Sequence, residues 1–193
     1  MPLEGDVIDA LTRRLFASEP EVGDVRRAAV SIILKSSGVP STLLIKRAER
    51  SGDPWSGQVA FPGGKRQPGD RTARETATRE TREEVGIDLS RSAEFVGYSD
   101  VVLTHTGTMD VVPSVFLLKE EVEVKPNEEV ASWRWVGIDE LLSPRSRSTY
   151  EMRRDGRTLK MPALTTGDYV VWGLTHRIVT SLMDESRMSR PQS

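Results

Sequence analysis

The 193-residue chain contains no cysteine. That excludes disulfides, a thiolate nucleophile, and cysteine-based zinc or iron–sulfur centres. It contains two histidines, His105 and His176. It has no excess of positive charge: 27 Lys+Arg stand against 29 Asp+Glu, a formal net charge of −2. Near-balance of this kind argues against a nucleic-acid coat or a binder of anionic membranes, both of which need a basic surplus. No apolar run approaches the ~18 residues that span a bilayer. The first nine residues are acidic rather than signal-like. The expectation is a soluble, cytoplasmic protein with no nucleic-acid or membrane partner. Its length fits a single domain over residues 1–193 that buries a core without staples.

Periodicity then divides the chain. Val7, Ala10, Leu11 and Leu15 fall at helical spacing over residues 6–16. Residues 26–35 (RRAAVSIILK) and 42–46 (TLLIK) read as two strands joined by a loop, and residues 58–61 as a short extended piece. Pro62-Gly63-Gly64 is expected to interrupt regular structure. A helix begins at the Thr72-x-x-Glu75 capping box and stops at Gly86. Strands follow over 95–103, 111–118 and 133–136, with Pro126-Asn127 supplying turn chemistry. Residues 143–167, a mix of Pro, Arg, Ser and Gly, read as a loop or lid, and residues 169–183 as a final helix. Trp133 and Trp135 alternate with Arg134 as in strand packing. Interspersed strands and helices without internal repeats give an α/β or α+β class with a mixed sheet.

The chemistry concentrates in residues 63–87, GGKRQPGDRTARETATRETREEVGI. On a helix, Glu80 and Glu84 lie four apart and Glu83 three from Glu80, so the three carboxylates share a face. Like charges at this spacing repel by a few tenths of a kcal/mol per pair. A hard cation with oxygen ligands, such as Mg²⁺, offsets that repulsion. The plainer reading is a solvated face in which Arg71, Arg74, Arg79 and Arg82 balance Glu75, Glu80, Glu83 and Glu84. Gly63-Gly64 just ahead of the helix favours the former, because their exposed backbone can approach a phosphate or metal.

Gly64, Arg79-Glu80-x-x-Glu83-Glu84-x-Gly86-Ile87 resembles the Nudix box. Asp70 stands where the box has its first glutamate, the Asp70-to-Arg79 spacing is one residue longer than the general box, and Thr81 occupies a position that is usually apolar. The coenzyme A pyrophosphatase-like branch shares the aspartate and the longer spacing. Leu43-Leu44-Ile45-Lys46-Arg47, then Gly57-Gln58-Val59-Ala60-Phe61-Pro62-Gly63-Gly64, is similar to that branch's upstream pattern. Asn127-Glu128-Glu129-Val130, Trp133-Arg134-Trp135-Val136 and Asp139-Glu140-Leu141 resemble the usual Nudix ending, and Trp172-Gly173-Leu174-Thr175 the start of the branch's last helix. Residues 26–183 are covered in all. Residues 48–56, AERSGDPWS, replace the branch's Leu-Arg-x-His segment and carry no histidine.

The resemblance implies an α/β/α sandwich with a mixed sheet, and divalent-metal-dependent hydrolysis of a nucleoside diphosphate derivative. Coenzyme A, cut to phosphopantetheine and adenosine 3′,5′-bisphosphate, is the first expectation. ADP-ribose, a nucleotide sugar or a dinucleotide is the alternative, and a non-catalytic nucleotide-sensing module a third. Glu80, Glu84, Glu83 and the Gly64 carbonyl are the expected holders of Mg²⁺ or Mn²⁺. Arg79, Asp70 and Gly86 are structural parts of the box. The general base is open among Glu83, Glu80, Glu128 and Glu129, with the histidines given a structural or surface reading. Lys46, Arg47 and Gln58 are substrate-binding candidates, since an arginine fork suits a phosphate. Trp55 either stacks on a base or anchors its loop. Homodimers are frequent in this superfamily.

Overall fold

The computed structural model describes residues 4–21, 26–53, 55–104, 107–154 and 156–183. The elements run α1 (Glu4–Thr12), β1 (Arg26–Lys35), β2 (Ser41–Arg47), β3 (Val59–Ala60), β4 (Gly63–Lys65), α2 (Ala73–Val85), α3 (Leu89–Ser92), β5 (Ala93–Tyr98) and β6 (Val102–Leu103). They continue with β7 (Met109–Leu118), β8 (Val130–Gly137), α4 (Ile138–Leu142), β9 (Arg147–Arg154), β10 (Arg157–Thr166), β11 (Tyr169–Trp172) and α5 (Gly173–Met183).

Strand alternation on β1 organises the core, because successive side chains point to opposite faces. Ala28, Ile32 and Leu34 join Ile178, Val179 and Leu182 of α5 on one face. Ala29 and Ile33 join Ala73, Ala77 and Val85 of α2 on the other. β1 pairs in parallel with β7 and antiparallel with β2 and β4, and both β5 and β6 lie along β7. The result is a mixed eight-stranded sheet, order β3-β2-β1-β7-β5, with β4, β6 and β8 attached. β2 meets β1 only near Leu34 and Lys35, while β4 meets it at Ala28–Val30. The two partners thus occupy different stretches of the same edge.

Four expectations need correction. Residues 143–167 are not a loop or lid: after a 3₁₀ turn (Pro144–Ser146), β9 and β10 form an antiparallel hairpin extended by β11. The hairpin hides in the sequence because most of its side chains are exposed and polar, so it shows no apolar alternation. The last helix starts at Gly173, since residues 169–172 pair with β10 as β11. Gly63–Lys65 does not interrupt the sheet but pairs with β1. Residues 95–103 divide into β5 and β6, both on β7. Trp135 packs against the α2-side core, whereas Trp133 is 39% exposed. Among the described residues no helix is long and apolar enough to cross a membrane.

Candidate active site

The carboxylate helix α2 is fastened at both ends. Thr72 accepts from the Glu75 N–H at 3.1 Å, but the Glu75 carboxylate reaches the Arg71 N–H rather than that of Thr72. The first N–H of the helix, at Ala73, is taken by Glu19 at 3.0 Å, a long-range cap invisible in the local pattern. At the far end Gly86 adopts the left-handed conformation (φ 72°) and donates to the Arg82 carbonyl. The helix lies on β1 through Thr81, whose hydroxyl bonds Ser31.

Glu80 and Glu84, one turn apart, line a cleft of about 410 Å³ together with Arg47, Gln58, Gly63 and Gly64. Glu84 is 3% exposed; its carboxylate accepts from the Gly63 N–H at 2.8 Å and faces Arg47 at 3.5 Å. Burial pushes its pKa up to about 7, against the pull of the Gly63 N–H and Arg47, with Glu80 and Glu129 adding repulsion. Burial also raises the Glu80 pKa, opposed by Arg79. The Glu80 carboxylate lies directly over Gly64: a Cβ there would stand 2.5 Å from its carboxyl carbon. Only glycine leaves that space.

Arg79 draws the box together. It contacts Asp70 at 2.9 Å, Glu80 at 2.9 Å, Glu83 at 3.1 Å and the Lys65 carbonyl at 3.1 Å. The Arg79 hydrogen bond is the main reason the Asp70 pKa falls to about 2. Glu83 is not a cleft residue; it is exposed on the outer side of α2, against Arg79.

Beyond the helix, neighbours in sequence part company. A register shift between Lys46 and Arg47 in β2 breaks the ladder with β8. Arg47 enters the cleft, while Lys46 lines a separate depression with Tyr150, Asp168 and Trp172. Lys46 and Arg47 therefore do not form one phosphate-facing pair. Gln58 borders both cavities. Glu129 lines the cleft and its N–H donates to the Asn127 side-chain oxygen, while the Asn127 backbone N–H donates to the Glu84 carbonyl. Glu128 lies outside the cleft and faces Arg50 at 3.5 Å. His176 is half-buried in α5 away from the cleft, and burial lowers its pKa; His105 lies outside the described residues.

Two cleft features have no counterpart in the box. Asp53 pairs with Arg47 at 3.2 Å and accepts from the Trp55 N–H at 3.0 Å, and Trp55 lines the cleft wall. The Arg47 Nε is buried and has no partner.

For a divalent cation, the donor set fits in kind: two carboxylates face one cleft, oxygen donors of the type Mg²⁺ and Mn²⁺ take. Among the described residues, no group of three Asp, Glu or His side chains is close enough to form a complete cage. Remaining positions would fall to backbone, water and substrate oxygens.

The NUDIX domain model matches residues 25–155. An uncharacterized Schizosaccharomyces pombe protein is 38% identical over 123 residues, covering 60% of this chain and 37% of the other. The chain thus spans little more than a third of that relative's length. An uncharacterized Nudix hydrolase, NudL, of Yersinia pestis is 33% identical over 161 residues, covering 83% of this chain and 79% of NudL. A crystal structure of a MutT/nudix family protein from Enterococcus faecalis superposes with a TM-score of 0.56 at 15% identity, over 97% of this chain and 75% of the other, a likeness of fold alone. With two thirds of its length matched by the domain model and a Nudix hydrolase related across most of its sequence, the chain belongs to the Nudix hydrolase family.

Proposed function

We propose that the protein is a divalent-metal-dependent pyrophosphohydrolase of nucleoside diphosphate derivatives, with coenzyme A or its derivatives as substrate. The observation that carries the reading is the convergence of Glu80 and Glu84 with Gly63, Gly64 and Arg47 on one cleft. A bound Mg²⁺ or Mn²⁺ would neutralise the diphosphate and acidify an attacking water. Glu80 and Glu84 would hold it, with the Gly64 backbone alongside. Arg47, with a buried Nε–H still unpaired, offers donors to a phosphate oxygen. Glu129, a cleft carboxylate outside α2, would take a proton from the attacking water. Arg79 and Asp70 orient the box. Choice of coenzyme A rests on the similarity of residues 43–64 and of the box spacing to that branch. The same resemblance supports a cytoplasmic homodimer acting on a small nucleotide, as one domain with its core over residues 26–183.

One observation favours a second substrate class. Trp55 takes up cleft wall in the very segment that departs from the branch pattern, which suits ADP-ribose, a nucleotide sugar or a dinucleotide. Incubation with Mg²⁺ or Mn²⁺ and a panel of coenzyme A, ADP-ribose, NADH and nucleotide sugars, followed by mass spectrometry, separates these. Phosphopantetheine and adenosine bisphosphate from coenzyme A alone support the first reading. Cleavage of the others instead supports the second, and no turnover on any of them leaves a nucleotide-binding module.

A further inference from the structure

Glu84 on α2, Arg47 on β2 and Asp53 in the following loop form one chain of charge, with Arg47 between the two carboxylates at 3.5 and 3.2 Å. The other Asp53 oxygen accepts from the Trp55 N–H at 3.0 Å, an Asx-type turn that fixes where the indole starts. The Ser56 hydroxyl closes the same loop by accepting from the Arg50 N–H at 2.9 Å. A loop tied to the site at this many points has a structural task there. Its indole packs against the core beneath and still borders the cleft. Across it stands Lys65, whose ammonium is 6.0 Å from the ring centroid, the outer edge of a cation–π contact. Lys65 is exposed, so nothing else packs its ammonium onto the ring face. The neighbouring wall is apolar, built from Val30, Phe61, Met109 and Leu174. The cleft therefore carries carboxylates and, beside them, an aromatic and apolar wall.

We propose that Trp55, seated by the Asp53–Arg47 bridge, is the stacking platform for the planar base of the nucleotide, so that this loop selects substrates. The inference rests on a nucleotide occupying this cleft, but not on hydrolysis. A base displaces Lys65 from the indole and stacks there, while the diphosphate lies toward Arg47 and the α2 carboxylates.

The test compares two non-hydrolysable ligands that share a diphosphate core and differ by adenosine: α,β-methylene ADP and methylenediphosphonate. Both are titrated calorimetrically, with Mg²⁺, into the wild-type protein and into W55A, W55F and D53N. Trp55→Ala should weaken the ADP analogue about tenfold or more, the scale of one lost stack, and leave methylenediphosphonate unchanged. Trp55→Phe should retain most of the affinity, and Asp53→Asn, which also removes the charge beside Arg47, should weaken the ADP analogue relative to methylenediphosphonate while shifting the affinity of both. Equal weakening of both ligands, no weakening in W55A, or a wild-type protein that does not distinguish the two would each overturn the proposal. Should W55A fail to fold, W55L keeps an apolar side chain over part of the same space without a ring face and carries the same comparison. Turnover in the substrate panel without selective loss in W55A removes this inference alone. Selective loss without turnover removes only the hydrolytic reading.

Discussion

The Thr81 hydroxyl on α2 and the Ser31 hydroxyl on β1 are hydrogen-bonded at 2.7 Å in a fully buried setting, and Ser31 donates onward to the Ala77 carbonyl at 3.0 Å. This pair accounts for the one box position that departs from an apolar residue. A buried hydroxyl without a partner is costly, and here each hydroxyl satisfies the other. The bond also sets the height of α2 on the sheet, one residue from Glu80.

Because the two hydroxyls depend on each other, their substitutions should not add. Ser31→Ala and Thr81→Val should each cost about 1–2 kcal/mol, and the double variant clearly less than the sum. Denaturant unfolding of the four proteins gives the coupling directly. Additive losses would mean that the bond contributes nothing to holding the helix.

Replacing either cleft carboxylate should separate activity from folding. Glu80→Gln and Glu84→Gln are expected to lower turnover by several orders of magnitude with unchanged circular dichroism. Near-wild-type rates in both would sink the site.

Glu84 also predicts a pH effect on the metal-free protein. Its pKa is about 7 when folded against the ordinary 4.5, so the unfolded chain releases its proton first as pH rises. Stability should therefore fall between about pH 4.5 and 7, by about 3 kcal/mol from this group. Glu84→Gln should flatten that slope in chelator-treated samples, as read by thermal melting. A slope unchanged by the substitution would contradict the burial of this carboxylate.

Asp70 works with the opposite sign. Its pKa of about 2 lies below the ordinary 3.8, so its contribution is complete above about pH 4 and disappears as pH falls towards 2. Asp70→Asn should cost about 1–2 kcal/mol at neutral pH, a cost that shrinks below about pH 4 and vanishes once pH falls below the folded pKa. Melting curves across that range check both halves of the statement.

The adjacent glycines should fail in different ways. A Cβ at Gly63 would stand 2.3 Å from the Ala29 carbonyl oxygen, a clash with the sheet backbone that should impair folding. At Gly64 the clash is with the Glu80 carboxylate, so Gly64→Ala should fold and lose Mn²⁺ affinity. Calorimetric Mn²⁺ titration of G64A, beside the melting temperature of G63A, tests the distinction.

Local chemistry made much of this molecule legible from sequence. The capping Thr72, the stop at Gly86 and the apolar runs of β1, β2 and β7 each act within a few residues, so their elements appear where the pattern puts them. Glu80 and Glu84 share a cleft because helical geometry places residues four apart on one face. Identity of the family was legible for the same reason: the box is a contiguous stretch with fixed spacing.

Other features depended on partners far along the chain. The β9–β10 hairpin is mostly exposed and polar, with Ala163 and Leu164 near the end of β10 buried, so a window rich in Arg and Ser conceals it. Lys46 and Arg47 are neighbours that open on different cavities, and the ladder with β8 shifts register between them. Glu129 enters the cleft and Glu128 does not, because Asn127, docked on the end of α2, sets the turn between them. The partner of Thr81 lies fifty positions away on β1, and the cap on Ala73 comes from Glu19. Sequence alone determined which groups are acids, where the helix carrying them begins and ends, and which family it belongs to, since those follow from short-range spacing. Tertiary structure decided which of those acids meet in one cleft, which arginine joins them, and that Trp55 forms its wall, since burial and long-range pairing assign each side chain its surroundings.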